Sequence, residues 1–221
     1  MGRHLGAPAA VAPAFCYIPA PMTKAPRAGV LALQGDFEAH ATALRGVGAD
    51  PLLVRRPAQL EQVDVLCLPG GESTTMSLLL TTSGLREPLR QRILDGMPVL
   101  ATCAGLILLA REVSGDTGSL KVEPLRALDV RVERNAYGRQ VDSFEEGVEV
   151  DWTGLSMADK DKLRAHFIRA PLIRDPGPKV QVLARRGDEI ILVRQGNILA
   201  ATFHPEIAGD FRLHEVLLRL A

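Results

Sequence analysis

The chain of 221 residues predicts an α/β fold: a doubly wound, mostly parallel sheet with helices on both faces and an appended antiparallel ribbon. Two patterns and one quantity carry this expectation. Short apolar segments (AGVLAL, PLLVRR, VDVLCLP, MPVLAT) alternate with helical segments through the first half. Strands that are apolar along their whole length need cover on both faces, which parallel sheets receive from their crossover helices. After about residue 120 the runs RALDVRVER, GVEVDW, AHFIRAP, KVQVLARR, DEIILVRQ and NILAATF follow one another with Gly, Asp and Asn between them, the pattern of antiparallel ribbons. A hydrophobic content of 47% beside 24% charged residues supplies one sizeable core, enough for a single large domain.

The elements follow in order. The first 27 residues hold five of the fifteen prolines (Pro8, Pro13, Pro19, Pro21, Pro26) and show neither helical nor alternating periodicity, so residues 1–27 are expected to be a disordered extension. Pro8 and Pro13 interrupt the apolar stretch that a secretory signal would need. Met22 stands just before a short basic lead into the first strand, which makes the preceding segment an optional tail or the product of a start codon set too early. One domain is expected over 28–221. Its first strand is 28–33, followed by the helix FEAHATALRGVG, the strand PLLVRR, the strand 63–69, helices near 74–82 and 85–95, the strand 97–102 and an apolar helix from Ala104. FRLHEVLLRL closes the chain as a helix.

Composition excludes several functions. Twenty-six basic residues balance 26 acidic ones, so the electropositive surplus behind non-specific nucleic-acid binding is missing. Aromatic content of 4% weighs against a base-stacking platform. No apolar run approaches the roughly 18 residues of a membrane span. Cys16, Cys67 and Cys103 cannot all pair, and they sit in apolar runs, which fits a reduced, cytoplasmic protein.

Cys103 is the first candidate for chemistry. PVLATCAGLILLA places it where a buried strand meets a helix, with small neighbours Ala101, Ala104 and Gly105 that permit the sharp turn of a nucleophile elbow. An inert buried thiol is the competing reading, and it is the better one for Cys67 in mid-strand. The second element is FHPE, 203–206. Pro205 biases His204 toward extended backbone. Residues two apart then share a side, so Glu206 lies beside the His204 ring and orients it as a base. The third is LPGGESTT, 68–75, whose two glycines let backbone approach a ligand closely, while Ser73 or Thr74 also serves as a helix N-cap. It lacks the Lys of a P-loop, and no Gly-x-Gly-x-x-Gly occurs. The cysteines are too isolated for zinc. Neither a cofactor nor a metal site is expected.

With Cys103 at an elbow, HPE about a hundred residues later and a Gly-Gly loop before both, the chain resembles the class I (triad) glutamine amidotransferases. AGVLALQGDFEAH, LPGGESTTM, ATCAGLILLA, VERNAYGRQVDSFE, HFIRAP and FHPE, in this order, are similar to the glutaminase subunits of two-component pyridoxal 5'-phosphate synthases, over residues 28–221. The resemblance implies Cys103 as nucleophile, His204 as base and Glu206 as its partner. It further implies that Gly71, Glu72, Ser73, Arg134, Ile168 and Arg169 contact L-glutamine, that Gly71 and Ala104 form the oxyanion hole, and that ammonia passes to a separate synthase subunit in a hetero-oligomer. Two departures stand out: Ala101 replaces the usual Gly of Gly-Thr-Cys, and Asp36 replaces a usual small residue. Ala is still small, so the first is expected to be tolerated. Rival readings are a triad glutaminase of another pathway, a non-catalytic interaction protein of the same fold, and a cysteine peptidase. The peptidase reading is disfavoured because the glycine loop suits a small amide better than an extended cleft.

Overall fold

The computed structural model describes residues 25–115, 121–134, 143–155, 157 and 161–221. Its first half winds as expected: β1 (Ala28–Leu31), α1 (Phe37–Gly46), β2 (Leu52–Val54), α2 (Pro57–Leu60), β3 (Val65–Leu68), α3 (Ser73–Thr82), α4 (Arg86–Leu94), β4 (Val99–Thr102) and α5 (Ala104–Leu109). β5 (Ala110–Ser114), β6 (Leu128–Glu133), β7 (Phe144–Val148), β8 (Leu163–Phe167), β9 (Leu172–Arg174), β10 (Gln181–Arg186), β11 (Glu189–Gln195), β12 (Ile198–Ala201) and α6 (Arg212–Arg219) follow.

The large sheet runs β2-β1-β3-β4-β12-β11-β9-β6-β5, with β10 on β11. β1, β3, β4 and β12 are buried at every position, which is why their sequences do not alternate. Their odd and even residues feed separate cores. Leu66 and Leu68 join Met76, Leu80, Leu89 and Leu106 from α3, α4 and α5 on one face. Val65 and Cys67 join Ala41 and Leu44 from α1 and Leu213, Val216 and Leu217 from α6 on the other. Each fully buried Leu in these layers contributes roughly 1.5–3 kcal/mol.

Several elements depart from expectation. The helix from Ala104 ends after six residues, because Ala110 turns extended (φ −53, ψ 151) into β5, which pairs in parallel with β6. The strand expected over GVEVDW lies earlier, at β7, where Phe144 pairs with Phe167 of β8 and their rings stack at 4.9 Å. β7 and β8 form a sheet of their own. The antiparallel ribbon is real in β10, β11 and β12, but β12 also inserts beside β4 and runs parallel to it. Short α2, β5 and β9 carried no periodic signal. Residues 1–24, with Cys16 and most of the expected extension, and 135–142 of VERNAYGRQVDSFE lie outside the described residues. Among the described residues no helix is long and apolar enough to cross a membrane.

Candidate active site

Register places the site. Ala101 pairs with Ala200 and Thr102 with Ala201, so Cys103 and the FHPE segment leave the same end of two adjacent parallel strands. That carboxyl end is where open α/β sheets build their sites. The Cys103 amide donates to Ala201 O at 2.9 Å, which fastens the elbow to β12. Cys103 itself sits at φ 46, ψ −102, a strained conformation for a non-glycine residue. The turn closes because a Cβ at Gly105 would fall 2.2 Å from Leu68 O; only glycine lets α5 lie this close to β3. Ala101, the departure from the usual Gly, is fully buried between β3 and β12 and its methyl is accommodated.

His204 is held from three sides. Its amide donates to His166 O at 2.8 Å, bridging it to the end of β8. Nδ1 meets Glu206 Oε1 at 2.8 Å. Gly70 lies against the Cε1 edge of the ring. Glu206 is buried, and burial alone would raise its pKa; its interactions with His40 and His204 outweigh that and hold the carboxyl far below the usual range. Burial likewise opposes protonation of His204, yet hydrogen bonds to Cys103 and Glu206, with their charges, raise it from 6.5 to about 10. The two cysteines separate clearly: burial pushes the thiol of fully enclosed Cys67 well up, whereas Cys103 keeps 9% exposure and faces a cavity.

That cavity has a volume of about 330 Å³. Cys103 and His204 line it, as do Gly71, Glu72 and Ser73 of the glycine loop. Arg134, Ile168 and Arg169 also line it, so eight of the ten expected site residues share one cavity. The other two stand behind it: Glu206 supports the histidine, and Ala104, fully buried, opens α5 directly after Cys103. Arg169 carries a positive φ of 42, and Arg134 has a buried Nη1 with no hydrogen-bond partner among the described residues.

The loop itself differs from expectation in one detail. The cap of α3 is neither Ser73 nor Thr74 but Glu72, whose carboxylate accepts from the amides of Thr74 (3.1 Å) and Thr75 (2.6 Å). Burial opposes ionisation there, but these amide bonds lower its pKa to about 2. Sequence reasoning missed Gln34, whose Oε1 accepts the Glu72 amide at 2.9 Å, and Asp36, the other departure, 3.9 Å from His204 Nδ1; both line the cavity. It also missed Thr102, His40 and His214 behind Glu206.

A cysteine at a strained elbow, an imidazole held by a buried carboxylate and a glycine loop on one small cavity are the kinds of group that amide hydrolysis through a thioester uses. Residues 30–221 match the SNO glutamine amidotransferase family. The chain belongs to that family. This amidotransferase is 52% identical to the pyridoxal 5'-phosphate synthase subunit PdxT of Mycobacterium tuberculosis (strain ATCC 25618 / H37Rv) over 195 residues, 87% of this chain and 95% of the relative. A crystal structure of a glutamine amidotransferase superposes on it with TM-score 0.78 at 46% identity, covering 87% of this amidotransferase and 97% of that chain. The structure of PurLQS from Thermotoga maritima, at 17% identity and TM-score 0.61 over 89% and 99% of the two chains, shares the fold.

Proposed function

We propose that residues 28–221 act as one glutaminase domain, hydrolysing L-glutamine to L-glutamate and delivering the ammonia to a pyridoxal 5'-phosphate synthase subunit in the cytoplasm, with residues 1–27 as an extension. The observation that carries the reading is the union of Cys103 and the Glu206-anchored His204 on one cavity sized for a small amino acid.

The Cys103 sulfur attacks the side-chain amide carbon, forming the C–S bond, while the amides of Gly71 and Ala104 receive the oxyanion. With Nδ1 committed to Glu206, Nε2 of His204 gives its proton to the departing nitrogen. Ammonia leaves as the C–N bond breaks. Water then enters, Nε2 takes its proton, hydroxide adds to the thioester and the C–S bond breaks, returning the Cys103 thiolate beside the protonated His204 ring and releasing glutamate, whose new carboxyl gives its proton to solvent. Glu206 stays ionised throughout and stabilises the imidazolium. Arg134 is the proposed partner of the substrate α-carboxylate: its unsatisfied Nη1 lies at the cavity, and a guanidinium fork matches a carboxylate. The strained Ile168–Arg169 bend shapes the facing wall.

Reconstitution tests this. The chain, with the synthase subunit of its own organism, glutamine, ribose 5-phosphate and glyceraldehyde 3-phosphate, is expected to generate the absorbance of pyridoxal 5'-phosphate, and Cys103→Ala to abolish it unless ammonium salts replace glutamine. Because free ammonia is lost to protonation in water, the isolated chain is expected to turn over glutamine slowly. Vigorous turnover unaffected by the synthase refutes the gating, and an ammonium-independent defect in Cys103→Ala refutes the nucleophile.

A further inference from the structure

His40 closes the QGDFEAH segment and has no role in the chemistry above, yet it is fully buried against the triad. Its Nε2 lies 3.0 Å from Thr102 Oγ1 and 3.3 Å from Glu206 Oε1, and its Nδ1 lies 2.9 Å from His214 Nε2. Thr102 Oγ1 in turn donates to Glu206 Oε1 at 3.4 Å. One oxygen of the carboxylate thus gathers His204, Thr102 and His40, while Oε2 is buried with no hydrogen-bond partner among the described residues.

Counting donors assigns the protons. His214 Nδ1 is also buried and unpartnered among the described residues. Were His40 Nδ1 the donor, a neutral His214 would carry its proton on that Nδ1, as a buried N–H without an acceptor, the costlier orphan. The opposite direction leaves only a bare lone pair: His214 Nε2–H donates to His40 Nδ1, and His40 Nε2–H donates to Thr102 Oγ1 and Glu206 Oε1. Burial, which lowers His214 to about 3, keeps that ring neutral as the scheme needs.

We propose that His40 is a positioning residue of the triad: its Nε2–H pins Oε1 of Glu206 and thereby the angle of His204 toward Cys103, while His214 fixes the His40 ring. The inference rests on the glutaminase reading and adds to it a bridge from α1 and α6 to the reacting atoms. The groups that face the His40 ring are Thr102 from β4, Cys67 from β3, His214 from α6 and Glu206 from the loop after β12.

The test compares His40→Gln with His40→Asn in the full chain assembled with its synthase. Gln sets its amide where Nε2 sits and reaches Glu206; Asn sets its amide at the Nδ1 position and reaches only His214. Glutamine turnover in the Gln variant is expected within about threefold of wild type, while the Asn variant loses about tenfold or more in kcat with KM nearly unchanged. The alkaline limb of the kcat profile is expected to move to lower pH in the Asn variant alone, because His204 owes part of its raised pKa to its bond with Glu206. Equal kcat in the two variants, or a loss in Asn with an unmoved limb, overturns the proposal. If the Asn variant does not fold, nitrogen–proton long-range correlation spectra of the wild-type chain decide: an Nε2–H tautomer at His40 is expected, and an Nδ1–H tautomer overturns it. Absence of glutamine turnover in the wild-type complex would instead defeat the glutaminase reading, and the tautomer would still be read independently.

Discussion

Gly70 lies against the Cε1 edge of the His204 ring: a Cβ built at position 70 would fall 2.1 Å from ring Cε1 and 3.0 and 3.1 Å from Nδ1 and Nε2. Non-bonded carbons settle at about 3.5–4.0 Å, so the imidazole rests on bare backbone that admits no side chain. The same residue accepts the Asp36 amide at 3.1 Å through its carbonyl, which ties the wall to the loop after β1. His204 is therefore aimed by a glycine against its Cε1 edge and a carboxylate on Nδ1.

Gly70→Ala is expected to displace the ring and leave the fold intact, because the obstructing atoms belong to a side chain and not to backbone. A displacement near 1 Å at a reacting group costs about a hundredfold in rate. Glutaminase kcat of the reconstituted complex is the measurement, with thermal unfolding as control; turnover equal to wild type would show that the ring is held by other means.

Cys103 contributes a hydrogen bond and a charge to the raised pKa of His204. In the wild-type chain the imidazolium should persist to about pH 10, and glutamine turnover should decline above it as the general acid is lost. Replacing Cys103 by Ala removes both contributions, and the histidine should then titrate at lower pH. Proton NMR of the ring reads the two titrations; coincident curves would separate His204 from Cys103.

The meeting of Cys103, His204 and Glu206 was legible because each part announces itself locally. Small residues around Cys103 mark a turn, and the two-residue spacing of His204 and Glu206 across Pro205 places carboxylate and ring on one side. The layer behind Glu206 was not: His40 and His214 stand 174 residues apart and meet only because α1 and α6 pack on the same face of the sheet. The parallel placement of β12 was half legible, since a strand buried at all four positions belongs inside a sheet, but turn residues before it suggested no more than a ribbon. The cap at Glu72 escaped because Ser73 and Thr74, better-known capping types, follow it directly.

Arg134 bears a buried Nη1 with no partner among the described residues, while its Nη2 is engaged by Thr74 Oγ1 at 3.3 Å and Glu72 Oε1 at 3.5 Å. One arm of the fork is anchored and the other is left for an anion. Arg134→Met is expected to raise KM for glutamine by roughly 10- to 150-fold, the worth of a hydrogen bond to a charged group, with a smaller effect on kcat. Steady-state kinetics on the complex measure the split; a fall confined to kcat would remove Arg134 from substrate binding.

Glu72→Ala should act on stability first. It strips the cap from α3, which costs about 1 kcal/mol, and leaves the Thr74 and Thr75 amides without their acceptor. Urea unfolding at pH 7 reads the loss. The wild-type carboxylate is depressed to about 2, so its contribution is present above its ordinary value of 4.5 and is lost as pH falls toward 2. The variant should therefore approach wild type in acid, and a gap unchanged down to pH 3 would show that the charge of Glu72 is not what stabilises the helix.

His204 and His214 give the stability profile opposite slopes on either side of neutrality. His204 is raised to about 10 in the folded chain, so its contribution is complete below the unfolded value of 6.5 and is lost as pH climbs through about 10. His214 is depressed to about 3 by burial, so below 6.5 the unfolded chain binds a proton that the folded one refuses. Its penalty grows by about 1.4 kcal/mol per pH unit once the unfolded ring is charged. Between pH 6.5 and 5, above the ordinary range of carboxylates, His214→Leu should flatten the decline seen in urea midpoints of the wild-type chain, even though the variant starts lower for want of the bond to His40. Parallel declines in the two proteins would mean that a different buried group refuses the proton.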